Sequence, residues 1–251
     1  LKKTSLIKLC SACILILIGS FFSLYTNNKA SNAFIGINRK LPIYCVDTKE
    51  KKIAISFDVS LGREEHTKEI LNILDKYKIK GTFFIVGDWA SKYPDMLKEI
   101  SDRGHEIGNH SNTHPNMTRL SKDKILEDVN INDAKIRNIT GNSTKLFRCP
   151  EGSYNNTVID TLENAGYYCI QWDSDSADWM EKGADIEFNR IIKNTKPGSI
   201  LLFHNSAKYT PYNLPKIIEK FQSQGYKFVT VGNLIYKNNY KIDSSGKQIS
   251  K

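Results

Sequence analysis

The sequence predicts an α/β fold, a deformed and incomplete (β/α) barrel of seven or eight strands. Three observations predict it. Short apolar runs alternate with amphipathic stretches from about residue 51 to residue 236, the pattern of repeated βαβ units. Asp58, His110, Arg148, Asp178 and His204 each fall just beyond an expected strand, and barrels assemble their sites at that edge. The chain has 251 residues, enough for one such domain and too few for two large ones.

The first residues stand outside this pattern. Lys2, Lys3 and Lys8 precede an uncharged apolar stretch from Leu9 to Tyr25, so residues 1–33 read as an export segment. Its length suits an uncleaved membrane anchor or a cleaved signal, with Ser31-Asn32-Ala33 as the small-residue cleavage site. Lysines ahead of the span place the domain outside in either case. Residues 34–50 lack periodicity and read as a linker, followed by the domain at 51–236.

Within the domain, Ile53 to Phe57 is a strand that delivers Asp58 at its C-terminal end, and Glu64 to Tyr77 follows as a helix with Ile70, Leu71 and Leu74 on one face. Thr82 to Val86, β-branched and aromatic, is the next strand, and Tyr93 to Asp102 is a helix stopped by Gly104. His105 to Ile107 is a short strand leading to the His110–His114 loop. Ser121 caps a long helix reaching Ile139. Leu146-Phe147 runs into the turn-rich Arg148-Cys149-Pro150-Glu151-Gly152. Asn156 to Ala165 is helical, Tyr167 to Trp172 a strand, and Asp185 to Ile192 a helix ended by Pro197-Gly198. Ser199 to Phe203 is a strand ending at His204; a helix from Tyr212 to Gln222 and a strand from Lys227 to Thr230 close the series. Residues 237–251, lysine-bearing and poor in apolar residues, read as a basic flexible tail.

Composition narrows the function. With 40% apolar and 25% charged residues the chain has a core to bury, which excludes wholesale disorder. Four of its nine net positive charges are Lys2, Lys3, Lys8 and Lys29, and the +5 left for the remainder is too modest to argue for nucleic acid. No protein partner is indicated. Cys10 and Cys13 lie in the apolar segment, and Cys45, Cys149 and Cys169 are an odd set, so cysteine usage specifies no redox or metal role.

Two imidazoles spaced as His110 and His114 can face one metal ion, with a position left open for water. His66 and His105 read as helix-surface and strand-start residues. Asp58 at a strand end can activate water or merely cap a turn. An adjacent Arg148 would keep that acid ionised. Asp175-Ser176-Ala177-Asp178-Trp179 and Leu201-Leu202-Phe203-His204 repeat the arrangement of an acid or histidine past a strand, and Trp179 offers a face on which a sugar ring can stack.

Taken in order, Ser56-Phe57-Asp58, His110-Ser-Asn-Thr-His114, Arg148-Cys-Pro-Glu-Gly152, Asp175-Ser-Ala-Asp178-Trp179 and Leu202-Phe203-His204 resemble the motifs of the polysaccharide deacetylases of carbohydrate esterase family 4, the NodB-homology group. Phe57-Asp58-Val59-Ser60-x-Gly62 and the N-terminal segment look most like the sporulation-type members. The resemblance implies a NodB-type barrel and metal-dependent hydrolysis of N-acetyl groups from amino sugars of a cell-wall glycan, peptidoglycan, in spore formation. It implies Asp58 as general base, His204 as general acid, Arg148 and Asp178 as the residues tuning them, and His110 and His114 as metal ligands. Trp179 and Leu202 are implied as substrate-binding walls. The implied metal is zinc, with cobalt or manganese as alternatives.

Two positions depart from the family pattern. Val59 stands where typical members carry a second aspartate that completes the metal set, and valine cannot coordinate. Two histidines remain where catalytic zinc usually has three protein ligands, with Asp58, Glu64, His66 or waters as candidates to complete them. Glu151 replaces a common aromatic. The alternative expectation is therefore a glycan-binding wall protein that keeps the groove and has lost efficient chemistry.

Overall fold

The computed structural model describes residues Arg39–Lys251. The segment 1–33 and the start of the linker lie outside the described residues. Among the described residues no helix is long and apolar enough to cross a membrane.

The strands of the site-bearing sheet are β2 (Lys52–Val59), β3 (Thr82–Ile85), β4 (Glu106–Asn109), β5 (Leu146–Phe147), β6 (Tyr168–Cys169), β7 (Ser174–Asp175), β8 (Ile200–His204) and β9 (Lys227–Val229). Their spatial order is β6-β5-β4-β3-β2-β8-β7, with every neighbouring pair parallel. Parallel neighbours need a crossover, and helices supply most of them: α1 (Thr67–Lys76), α2 (Gly87–Lys92), α3 (Pro94–Asp102), α4 (Lys122–Thr140), α5 (Asn156–Asn164), α6 (Ala184–Asn194) and α7 (Thr210–Ser223). β9 extends the sheet at the foot of β2, on the β3 side, and a short α8 (Val231–Leu234) follows it.

The edge strands β6 and β7 are joined by only a few residues of chain, so the sheet curls toward closure. The segment before β2 lies across the remaining gap. Ile43 bridges Ile170, Cys45 bridges Ser199, and Val46 N–H donates to Gly198 O at 2.9 Å. Part of the expected linker is thus strand β1 (Cys45–Val46).

Residues 237–251 are a second correction. They form β10 (Tyr240–Ile242) and β11 (Lys247–Ser250), an antiparallel pair whose β11 runs parallel to β1. Gln248 anchors the pair: it is buried, accepts from Tyr236 N–H at 2.8 Å and donates to Tyr236 O at 2.8 Å.

Alternation along β2 sorts its side chains. Ile53, Ile55, Phe57 and Val59 enter the helix-side core with Leu71, Leu74, Trp89 and Leu214. Ala54 faces a second core with Phe84, Ile170 and Ile200, and the period of two continues that face through Ser56 to Asp58. The strand thereby aims one carboxylate into the barrel mouth. Cys45, Cys149 and Cys169 are buried free thiols, and burial pushes Cys149 up to about 12, where it is no nucleophile.

Candidate active site

The sheet register brings the expected residues to one edge. Asp58 on β2 is the direct neighbour of His204 on β8. Arg148 follows β5, and its backbone N–H donates to Asn109 O at 3.0 Å, beside His110. Asp178 opens a 3-10 turn after β7. Together Asp58, His110, His114, Trp179, Leu202 and His204 line a cleft of about 600 Å3, with Trp172, Asp175, Ser60, Glu151 and Gly152 completing its wall. Trp172 is a lining residue that the sequence pattern did not single out, and Asp175, which opens one of the motifs, had been given no role of its own.

Arg148 lies wholly inside. One guanidinium nitrogen donates to Asp58 Oδ1 at 2.7 Å and the other to Ser56 Oγ at 2.9 Å and Gln171 O at 3.2 Å, while the plane rests 4.0 Å from the Phe84 ring centroid. A buried cation is tolerable only when paired and hydrogen-bonded in this way. Burial alone would raise the Asp58 carboxyl; Arg148, then His110 and His204, outweigh it and hold the group below its ordinary 3.8. Ser56 shares the Asp58 face of β2 and opens the first motif, whereas Gln171 is a support that sequence spacing gave no means of finding.

His204 Nδ1 donates to Asp178 Oδ1 at 2.7 Å, and its backbone N–H donates to Asp178 Oδ2 at 2.8 Å. Thr210 Oγ1 adds a bond to Oδ2 at 2.6 Å and Trp179 N–H one to Oδ1 at 2.9 Å. Burial opposes protonation of His204, but the bond to Asp178 and the charges of Asp178, Asp58 and Asp175 prevail, so its pKa rises above 6.5. Arg148 thus favours the ionised form of Asp58 and Asp178 the protonated form of His204, on neighbouring strands.

His110 Nδ1 donates to Arg148 O at 2.8 Å, which leaves Nε2 free of its proton and 3.4 Å from Asp58 Oδ2. Burial pushes this imidazole down to about 4, so it is neutral at neutral pH. The His114 ring stands 5.0 Å away at 76°. Their loop is clamped. Asn132 Nδ2 donates to Ile85 O at 2.8 Å and Asn109 Oδ1 at 2.9 Å, Asn109 Oδ1 accepts from Ser111 N–H, and Asp128 accepts from Asn112 N–H at 2.7 Å. Ser111, His114, Glu151 and Ala177 all take left-handed backbone conformations at this edge, strain that the clamps must hold.

The two imidazoles, with His110 Nε2 left open, suit a divalent ion. Among the described residues no three His, Cys, Asp or Glu side chains converge as a metal-holding group. Val59 packs fully buried in the helix-side core and does not line the cleft. Glu64 and His66, expected as candidates to complete the set, instead bond each other at 2.8 Å, with Glu69 3.5 Å from His66. Neither lines the cleft.

Geometrically this is a parallel α/β barrel with an acid–base cleft at its C-terminal edge. The sequence profile of polysaccharide deacetylases matches residues 46–170. The chain is 32% identical over 206 residues to peptidoglycan-N-acetylmuramic acid deacetylase PdaA of Bacillus subtilis, covering 80% of this chain and 78% of that one. It is 35% identical over 199 residues to a peptidoglycan-N-acetylglucosamine deacetylase of Bacillus cereus, covering 77% and 92%. Among solved structures it resembles a CE4 family pseudoenzyme from Bacillus anthracis, with a TM-score of 0.73, 33% identity, and coverage of 77% and 68%. A mutant of that pseudoenzyme with restored enzymatic activity matches at the same TM-score and identity, covering 77% and 70%. The chain belongs to the polysaccharide deacetylases of carbohydrate esterase family 4.

Proposed function

We propose that the protein is a metal-dependent N-deacetylase that removes acetyl groups from amino sugars of peptidoglycan. The observation that carries this reading is the pairing of two differently tuned groups, Asp58 with Arg148 and His204 with Asp178, on neighbouring strands of one cleft. The names of its relatives support peptidoglycan as the substrate class.

An amide is a weak electrophile with a poor leaving group, so hydrolysis needs an activated water, a stabilised oxyanion and a proton for nitrogen. Asp58, ionised beside Arg148, takes the proton from water as general base. His204, protonated beside Asp178, gives one to the departing amine as general acid. Arg148 and Asp178 hold those two protonation states. Trp179, 61% exposed, stacks on the sugar, and Leu202 walls the acetyl methyl. His110 and His114 would hold the metal, zinc before cobalt or manganese. When bound, such an ion polarises the carbonyl and acidifies water.

The lysines ahead of the Leu9–Tyr25 stretch support export, with the domain outside the membrane or released to the wall. The likeness to sporulation-type members supports a role in spore formation. Acetate release from purified peptidoglycan with each metal added tests the activity, and a preparation inert with all of them would refute it.

A second reading has its own observation. Val59 leaves two histidines where three ligands are usual, and a structural relative is a pseudoenzyme whose mutant regained activity. On that reading the chain binds glycan without efficient turnover. Wild-type protein that binds peptidoglycan but releases acetate only after Val59→Asp would establish it.

A further inference from the structure

One turn of α7 reaches two different buried carboxyls. Thr210 Oγ1 donates to Asp178 Oδ2 at 2.6 Å, and Asn213 Nδ2 donates to Glu187 Oε2 at 3.3 Å. The carboxyls are unequal. Asp178 receives four donors, two from His204, one from Thr210 and one from Trp179, so both its oxygens are engaged. Glu187, on α6 and 2% exposed, has that single long bond. Its Oε1 has no partner, and neither does Asn213 Oδ1, since the Asn213 amide nitrogen is divided between Glu187 and Ala184 O.

Buried polar atoms in native structures are nearly always partnered. Here two buried oxygens lack a donor, and a proton on Glu187 would turn one of them into a donor. The charged groups acting on Glu187 are Asp178 and Glu181, both acidic, so no cation offsets its desolvation. We propose that Glu187 is a positioning residue for the His204–Asp178 pair: it carries a proton in the folded protein and, when that proton leaves, adds a second negative charge to the cluster that holds His204.

The electrostatics agree in direction. Burial, then Asp178, pushes the Glu187 carboxyl up to about 7, against a smaller opposing effect of the Asn213 bond. His204 is acted on by Asp178, Asp58 on β2 and Asp175 on β7, and it too titrates above its ordinary value. Two groups acted on by the same Asp178, both raised above their ordinary values, can titrate as a coupled system. Loss of the Glu187 proton keeps His204 protonated to higher pH, which would extend the alkaline side of an activity that uses His204 as acid.

The imidazole proton resonances of the full chain, followed by NMR from about pH 5 to about pH 9, test this where histidines titrate. The His204 signal is assigned by its loss in His204→Gln. The wild type is expected to give a broadened, two-step curve for His204. Glu187→Gln, similar in shape but uncharged, should give one step with its midpoint at lower pH than in the wild type. Glu187→Met should do the same. A simple one-step curve in the wild type, or a curve unchanged by Glu187→Gln, would overturn the proposal, as would a shift confined to Glu187→Met. The role of His204 as acid rests on the deacetylase reading, but this titration does not, so failure of either is seen separately.

Discussion

Asp58 and His204 are in-register neighbours, yet their surroundings drive them to opposite protonation states. Acetate release should therefore follow a bell-shaped pH profile. Asp58 must be ionised and its carboxyl is depressed, so the acid limb falls below pH 3.8; His204 must be protonated and is raised, so the alkaline limb falls above pH 6.5. Arg148→Met removes the main charge holding Asp58 down and should move the acid limb to higher pH, measured as kcat/KM against pH. Asp58→Asn should cut turnover by about 10²–10⁴, the usual worth of a general base. It also leaves a buried guanidinium without its carboxylate, a loss of about 3–5 kcal/mol in thermal or denaturant unfolding. At this scale the sequence was readable wherever a motif fixed spacing, as for Asp58, His110, His114, Asp178 and His204. Gln171, Thr210 and Asn213 were not readable, because each meets its partner only through the tertiary fold and belongs to no periodic pattern.

The loop that carries both candidate ligands is held from α4 and from the end of β4. Asn132→Ala removes the bonds to Ile85 O and Asn109 Oδ1 together. It should cost about 1–3 kcal/mol, the penalty of leaving buried groups unsatisfied, and weaken zinc binding by about 10–100-fold, as supporting-shell losses do. Unchanged zinc affinity in a calorimetric titration would show that the clamp does not position the histidines. Long elements were legible: Ser121 does accept from Lys124 N–H, and the helix expected to reach Ile139 runs to Thr140. Short elements were not. The helix expected over Tyr93 to Asp102 is α3, Pro94–Asp102, but α2 ahead of it escaped notice, because a turn and a half is too brief to show a period. The β10–β11 pair escaped notice for a similar reason, since its buried anchor, Gln248, is polar and its strands are too short and lysine-rich to alternate visibly. Removal of residues 237–251 should accordingly lower the melting temperature, whereas loss of an unattached tail would leave it unchanged.

At the scale of the molecule, acid sensitivity follows from histidines kept neutral inside. Burial pushes both His105 and His110 down to about 4. Between the unfolded value of 6.5 and that range the unfolded chain binds protons that the folded chain refuses, so folding stability declines as pH falls through this window, by about 1.4 kcal/mol per pH unit for each group. Denaturant unfolding at stepped pH measures this, and a stability flat across the window would contradict the burial of either imidazole in solution. Barrel architecture was legible from alternation alone. Its closure was not, because Ile43 to Val46 ties the chain just after β6 to the chain just before β8 through backbone bonds that carry no side-chain signature. If a metal held by His110 and His114 lets this cleft remove acetyl groups from peptidoglycan, turnover must depend on that ion. Acetate release from purified peptidoglycan, with zinc, cobalt or manganese supplied in turn, tests it most directly. Metal-dependent release that is lost in Asp58→Asn and in His110→Ala is expected. No release with any of the three metals, or release that survives both substitutions, would contradict it.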